Sequence, residues 1–225
     1  MIPSSGRWSS RVRKALVSFA VGEQAPILDI SGPRFLSYAR RHGYDLFLPD
    51  ASYFRGWERE PSWWKLSLMT GLFESRGLYD VVLWCDADVM IVDESRDIAE
   101  ETDEDSWLSL VVHTTVPHGR MPNCGVMVAR AGFALRVAPR LLSDHRPYRC
   151  WEQGALMRHM GVEDPERYPV TLPVDKSFPW KEIGFEWNVI KADARSGTVT
   201  PRFVHCTGSR RVEDKTAQMR ALECL

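Results

Sequence analysis

The chain is poor in several features that would assign it to a class at once. Its five cysteines (Cys85, Cys124, Cys150, Cys206 and Cys224) are widely spaced, odd in number and never in a C-x-x-C pair. At least one is therefore unpaired, and reduced thiols in a cytoplasmic protein fit better than a disulfide frame or a zinc knuckle. No apolar run approaches the ~20 residues that cross a bilayer, so no membrane span is expected. Residues 15–21 follow basic residues and imitate a signal peptide. That apolar core is short, however, and Gly22-Glu23-Gln24 follows in place of a small-residue cleavage site. A net charge of −1 supplies no field for nucleic acid or an anionic surface. The basic cluster Arg7, Arg11, Arg13 and Lys14 reads as a solvated tail. Internal repeats and low-complexity tracts are also missing.

What is present is an ordinary globular composition, 44% hydrophobic over 225 residues, enough for a core and about one domain. The first half alternates strand and helix patterns. Residues 15–21 read as a strand. Residues 26–42 read as a helix that Gly32-Pro33 should break or kink early, and that Gly43 ends. Residues 44–48 read as a second strand and 49–61 as a loop. Ser62 is placed as the cap of a helix running to Gly77. A strand over 81–92 follows. This β-α-β-α-β order predicts an α/β fold, a mostly parallel central sheet with helices on both faces. Further on, 93–105 reads as a solvated acidic connection with a short helix. Residues 107–112 read as a strand, 113–122 as a loop, and 123–129 as a strand. Residues 133–142 and 151–160 are helical. Regular patterns fade beyond Pro165, until Phe203-Val204 forms a last strand before His205 and 212–225 a terminal helix.

The most informative stretch is Val81-Val-Leu-Trp-Cys-Asp-Ala-Asp-Val-Met-Ile-Val92. An apolar run of strand length leads into two carboxylates and then turns apolar again. Period-2 alternation puts Asp86 and Asp88 on one side, at the strand's C-terminal end, where open α/β sheets bind ligands. Adjacent carboxylates repel unless a cation or shared proton intervenes, and a divalent metal holding a phosphorylated substrate meets that need. His205, at the end of Phe203-Val-His-Cys-Thr-Gly208, offers an imidazole that suits Mn²⁺ or a similar ion alongside carboxylates. Gly208 would allow close backbone approach to a diphosphate, and Arg210 and Arg211 could clamp its oxygens. Asn123-Cys-Gly125 suits sugar hydroxyls or a plain turn. Glu152 and Gln153 open a helix, where Glu152 favours the helix dipole or sits under a bound sugar. Of the tryptophans near predicted loops, Trp180 is the best acceptor-side candidate.

Together these segments resemble the retaining glycosyltransferases of the GT-A fold. The nearer likeness is to the α-galactosyl-, α-xylosyl- and α-mannosyltransferases (glycosyltransferase family 34), and a more distant one is to the glycogenin-type family. The resemblance runs in order through Trp64-Lys65, Leu83-Trp-Cys-Asp-Ala-Asp88, Asn123-Cys-Gly-Val-Met127, Glu152-Gln-Gly-Ala-Leu156 and His205-Cys-Thr-Gly208. It implies a metal-dependent retaining enzyme moving a hexose or pentose from a nucleoside-diphosphate sugar. The acceptor would be a saccharide, a lipid-linked sugar or a small molecule. Asp86, Asp88 and His205 would hold Mn²⁺ or Mg²⁺. Ser18, Phe19, Ala20, Lys65, Asp86, Ala87, Asn123, Gly125, Gly208 and Arg211 would contact the donor. Glu152 and Gln153 would sit near the anomeric carbon, with Glu152 and Trp180 on the acceptor side. Arg211 stands where the glycogenin-type pattern has a phosphate-binding Lys; charge is kept but geometry is not. Eukaryotic members carry a membrane anchor; none is expected here from the residues of this sequence. The expected organisation is one domain over 1–225, nucleotide-binding to about 112 and acceptor-side from about 113.

Three other readings share parts of this pattern. A haloacid-dehalogenase-type phosphohydrolase would use Asp86 as nucleophile and Asp88 as general acid. That motif belongs on a first strand, and no later Asp pair completes its Mg²⁺ site. A sugar-nucleotide-forming nucleotidyltransferase would open with a Gly-rich loop, where residues 21–26 hold a single Gly. A non-catalytic sugar-nucleotide-binding module would not need the Asp/Asp/His set.

Overall fold

The computed structural model describes residues 12–75, 78–173, 177–193, 195–207 and 211–223. The elements are β1 (Lys14–Val17), α1 (Ala25–His42), β2 (Tyr44–Phe47), α2 (Pro61–Glu74), β3 (Val81–Cys85) and β4 (Val89–Ile91). They continue with β5 (Leu108–Thr115), β6 (Gly119–Ala129), α3 (Ala138–Leu142), α4 (Trp151–His159), β7 (Trp180–Glu182), β8 (Phe203–His205) and α5 (Val212–Leu222). Six strands form one sheet in the order β2-β1-β3-β6-β5-β7, while β4 and β8 pair separately. The β2-β1-β3 block is parallel, as the alternating pattern predicts. The β6 strand enters antiparallel between β3 and β5, and β7 is parallel to β5. Parallel pairings thus predominate in a mixed sheet.

Period-2 alternation sorts the core onto two faces. On β3, Val82 and Trp84 join the layer packed under α2 and α3, while Val81, Leu83 and Cys85 join the layer under α1. Met127 and Ala129 against Val126 and Val128 repeat the split on β6. A strand covered on both faces needs an unbroken apolar run, which is what 81–85 supplies. Each fully buried large apolar side chain contributes about 1.5–3 kcal/mol. Among the described residues, no helix is long and apolar enough to cross a membrane.

Several local expectations are corrected. Helix α1 runs unbroken through Gly32-Pro33. Its buried face (Ile27, Ile30, Phe35, Tyr38, Ala39) outweighs the hydrogen bond that Pro33 removes. Gly43 ends it at φ 70°, as expected. Helix α2 starts with Pro61 as its first residue and Glu60 before it, so Ser62 is not its cap. Gly77 lies outside the described residues. The expected loop at 113–122 is mostly the two ends of a hairpin, because β5 continues to Thr115 and β6 begins at Gly119. The acidic connection after Asp93 is not wholly solvated: Asp97 is buried and caps a 3₁₀ turn through the Ala99 amide. Lys14, read as part of a solvated tail, pairs with that same Asp97. Of the other basic residues there, Arg7 and Arg11 lie outside the described residues.

Candidate metal and donor site

The strand through 81–92 is interrupted. β3 stops at Cys85, and Asp86-Ala87-Asp88 forms a tight turn closed by the Val89 amide donating to the Asp86 carbonyl at 3.0 Å. The two carboxylates converge because of that turn, not because of the strand pleat. The turn is pinned on both sides. The Asp86 amide donates to the Gly125 carbonyl at 2.7 Å, and the Cys206 amide to the Asp88 carbonyl at 2.8 Å. The β4–β8 ladder then sets His205 opposite Val89.

In consequence the Asp86, Asp88 and His205 ligand atoms lie within 4.8 Å of one another. His205 Nε2 is 3.2 Å from Asp88 Oδ1 and 3.8 Å from Asp86 Oδ2. A Cβ on Gly125 would overlap the His205 ring and its neighbour Asn123 Oδ1, so glycine is what lets the imidazole in. Two hard carboxylates and one imidazole, gathered at a cavity wall, fit a divalent ion.

Lysine saturates the other side. Buried Lys65 spends its three N–H bonds on Asp86 Oδ1 at 2.8 Å, Glu152 Oε1 at 2.9 Å and the Cys124 carbonyl at 3.3 Å. Asp86 Oδ1 also accepts from Trp84 Nε1 at 2.7 Å. Lys215, from α5, reaches Asp88 Oδ2 at 2.6 Å.

These contacts set the protonation states. Burial works against charge on Lys65, but Asp86 and then Glu152 outweigh it and push its pKa up. For Asp88, burial opposes ionisation, yet His205 and Lys215 hold its carboxyl well below the usual range. Burial raises Glu152, with Lys65 pulling the other way. Burial likewise raises the Cys85 and Cys124 thiols, which makes them inert fillers beside the site.

Two cavities meet here. One, of about 230 Å³, is lined mostly by apolar residues from the first half, Phe19, Ala20, Val21, Ile27 and Trp84 among them. The other, of about 350 Å³, is lined by Asn123, Gly125, Glu152, Gln153 and His205 among others. Ser62, Lys65, Asp86, Asp88 and Lys215 line both. Glu152 Oε2 and His205 Nδ1 are buried there without a hydrogen-bond partner. The Gln153 side-chain oxygen accepts from the Cys124 amide at 3.3 Å. A more voluminous groove, about 990 Å³, runs between Arg146 and Thr171. Among the described residues it has no such cluster of converging ligand atoms, and its Arg146 is already paired with Asp144.

Most of the sequence-predicted site residues are therefore brought together: Phe19, Ala20, Lys65, Asp86, Ala87, Asp88, Asn123, Gly125, Glu152, Gln153 and His205. Ser18 is not among the lining residues; it is fully buried behind Phe19, with its hydroxyl unpartnered. Trp180 is not brought there either. It is buried in the core on β7, because the inner face of that edge strand packs against the layer under α3. Arg211 is exposed before α5, 3.7 Å from Glu213, and lines neither cavity. Gly208 and Arg210 lie outside the described residues. Sequence reasoning missed Lys215, Gln24 and Trp151. No local signal marks Gln24 or Lys215, which reach the site only through tertiary docking, whereas Trp151 directly precedes the Glu152-Gln153 segment and was within reach.

No family model matches the sequence, and no curated protein matches it. Solved structures do. The chain is similar to a glycosyltransferase involved in glycosylation of the major capsid of PBCV-1, at 15% identity and TM-score 0.68, over 95% of this chain and 100% of that one. It is similar to the galactosyltransferase LgtC, solved with donor and acceptor sugar analogues, at 14% identity and TM-score 0.54, over 92% and 95% of the two chains. It is also similar to mouse xyloside xylosyltransferase 1, at 10% identity and TM-score 0.53, over 86% and 97%. At such identities the likeness establishes the fold, the GT-A arrangement of these glycosyltransferases.

Proposed function

We propose that this protein is a metal-dependent retaining glycosyltransferase, moving a hexose or pentose from a nucleoside-diphosphate sugar to an acceptor hydroxyl. The observation that carries the reading is the Asp86/Asp88/His205 cluster at the junction of two cavities. Within the GT-A fold, the order of its five site segments favours the α-galactosyl/xylosyl/mannosyltransferase family, with the glycogenin type more distant. A galactosyltransferase and a xylosyltransferase among structures of like fold support a hexose or pentose as the sugar. The acceptor is a saccharide, a lipid-linked sugar or a small molecule. The chain would act as one domain, donor-binding to about residue 112 and acceptor-side beyond it. The four cysteines among the described residues are free of disulfides, which supports a reducing, cytoplasmic setting.

Asp86, Asp88 and His205 would hold Mn²⁺ or Mg²⁺, which supplies positive charge against the leaving diphosphate. The apolar cavity beside Phe19 and Ala20 receives the base and ribose, with Ser18 shaping it from behind. Lys65 holds Asp86 and Glu152 in place through its fixed ammonium. Asn123 and Gly125 border the sugar. The acceptor oxygen attacks the anomeric carbon on the face from which the diphosphate departs. The bond from that carbon to the phosphate oxygen breaks, a bond to the acceptor oxygen forms, and the acceptor proton passes to the departing phosphate oxygen. The Gln153 amide oxygen stabilises the oxocarbenium-like sugar, and Glu152 Oε2 accepts from the acceptor or sugar hydroxyl.

Glu152→Gln tests this assignment. Residual turnover, with no glycosyl adduct on the wild type by mass spectrometry, is the expected result. A trapped adduct on Glu152, with all turnover lost in the variant, would instead make Glu152 the nucleophile. A phosphohydrolase using Asp86 is disfavoured by geometry. Oδ1 of that carboxylate is already engaged by Trp84 Nε1 and Lys65 Nζ, which blunts its nucleophilicity.

A further inference from the structure

Lys215 belongs to none of the segments that define the site in sequence, yet its ammonium lies on a proposed metal ligand, 2.6 Å from Asp88 Oδ2. Its place is fixed from one turn further along α5. Met219, four residues on and on the same helix face, is fully buried against Ile27, Ile30, Met90 and Cys206. Lys215 also lines both cavities, so a ligand spanning their junction passes its side chain. The charges at that junction are uneven. Asp86, Asp88 and Glu152 face Lys65, Lys215 and His205; with the imidazole neutral, the form in which it can take a cation, one negative charge is in excess. A divalent cation added alone reverses the excess and must compete with an ammonium already on Asp88. A diphosphate added alone meets three carboxylates. Added together, the two charges offset, and the diphosphate gives the ammonium a second anionic partner within reach of a flexible side chain.

We infer that Lys215 couples the metal to the donor: its ammonium holds Asp88 against a divalent cation and transfers to the diphosphate when both bind. The inference rests on the metal-dependent reading above. It is a binding role, so its test needs no turnover and no knowledge of the sugar or base.

The test titrates Mn²⁺, followed by electron paramagnetic resonance, into wild type, Lys215→Met and Lys215→Arg, with and without inorganic pyrophosphate. Thermal melting checks that each variant folds. Lys215→Met should bind Mn²⁺ alone about tenfold more tightly than wild type. The gain that pyrophosphate gives to Mn²⁺ binding should fall about tenfold in that variant. Lys215→Arg, which keeps the charge, should stay near wild type on both counts. If Mn²⁺ binds wild type and Lys215→Met equally, with equal pyrophosphate coupling, the inference is wrong and the metal site stands. If no folded form binds Mn²⁺ under either condition, the metal-dependent reading itself fails.

Discussion

Two buried clusters in this molecule pair lysine with carboxylate, and they differ in one respect. Around Asp97, Oδ1 accepts from Tyr44 at 2.6 Å and from the Ala99 amide at 3.0 Å, while Oδ2 pairs with Lys14. Both oxygens are occupied by groups of the fold, and the cluster ties β1, β2 and the 3₁₀ turn together. Around Lys65 the ammonium is equally saturated, but the acids are not. Glu152 Oε2 and His205 Nδ1 lack partners, and the cluster opens onto two cavities. Buried charge alone is therefore a poor mark of function. Buried charge with unspent hydrogen-bonding capacity at a cavity wall is a better one.

The comparison can be broken at either cluster. The largest effect belongs to the open one. Asp88→Asn should lower transfer by about 10²–10³-fold or more, read as nucleoside-diphosphate release with saturating Mn²⁺. Lys65→Met should come next. It leaves buried Glu152, with partly buried Asp86 beside it, without their shared cation, at about 3–5 kcal/mol in urea unfolding at pH 7. A loss under 1 kcal/mol would mean that water replaces the ammonium and that the site is wetter than described. A third buried group, His113, sharpens the point by titration. Burial, reinforced by the charge on His205, lowers its pKa to about 4. Below the ordinary value near 6.5 the unfolded chain takes a proton that the folded protein refuses. Its contribution is therefore complete above that value and should fade by about 3 kcal/mol as pH drops from 6.5 to 4. His113→Phe should flatten that part of the stability curve; an unchanged curve would assign the fading elsewhere. At the closed cluster, Asp97→Asn should cost about 2 kcal/mol while leaving the Mn²⁺-dependent rise in Tm intact. The smallest effect is expected at Trp151, half exposed at the mouth of the larger cavity: Trp151→Ala should change stability by no more than about 0.5 kcal/mol.

These expectations show how unevenly the molecule can be read from its sequence. The parallel β2-β1-β3 block was legible, since apolar runs and helix periodicity alternate along the first half. The antiparallel insertion of β6 was not, because 123–129 reads as a strand whatever its direction. Asp86, Asp88 and His205 could be chosen by their flanking apolar runs. The turn that makes the two aspartates converge could not, since Cys85-Asp-Ala-Asp-Val89 has neither Gly nor Pro to punctuate it. Residue type and a loop-like sequence context point to Trp180, but its setting is an edge strand with a buried face. Lys215 was out of reach for the opposite reason: nothing near it in the chain is unusual, and its role comes from where Met219 anchors α5.

The most direct test of the central claim is a thermal-shift panel of sugar nucleotides, run with and without Mn²⁺ on wild type, Asp88→Asn and His205→Ala. A ligand that binds only the folded state raises Tm by mass action. The account predicts a Mn²⁺-dependent rise with one donor or a small group of donors, lost in both variants. No rise with any donor, together with Mg²⁺-dependent turnover of a phosphate ester, would contradict it and return Asp86 to the role of a phosphohydrolase nucleophile.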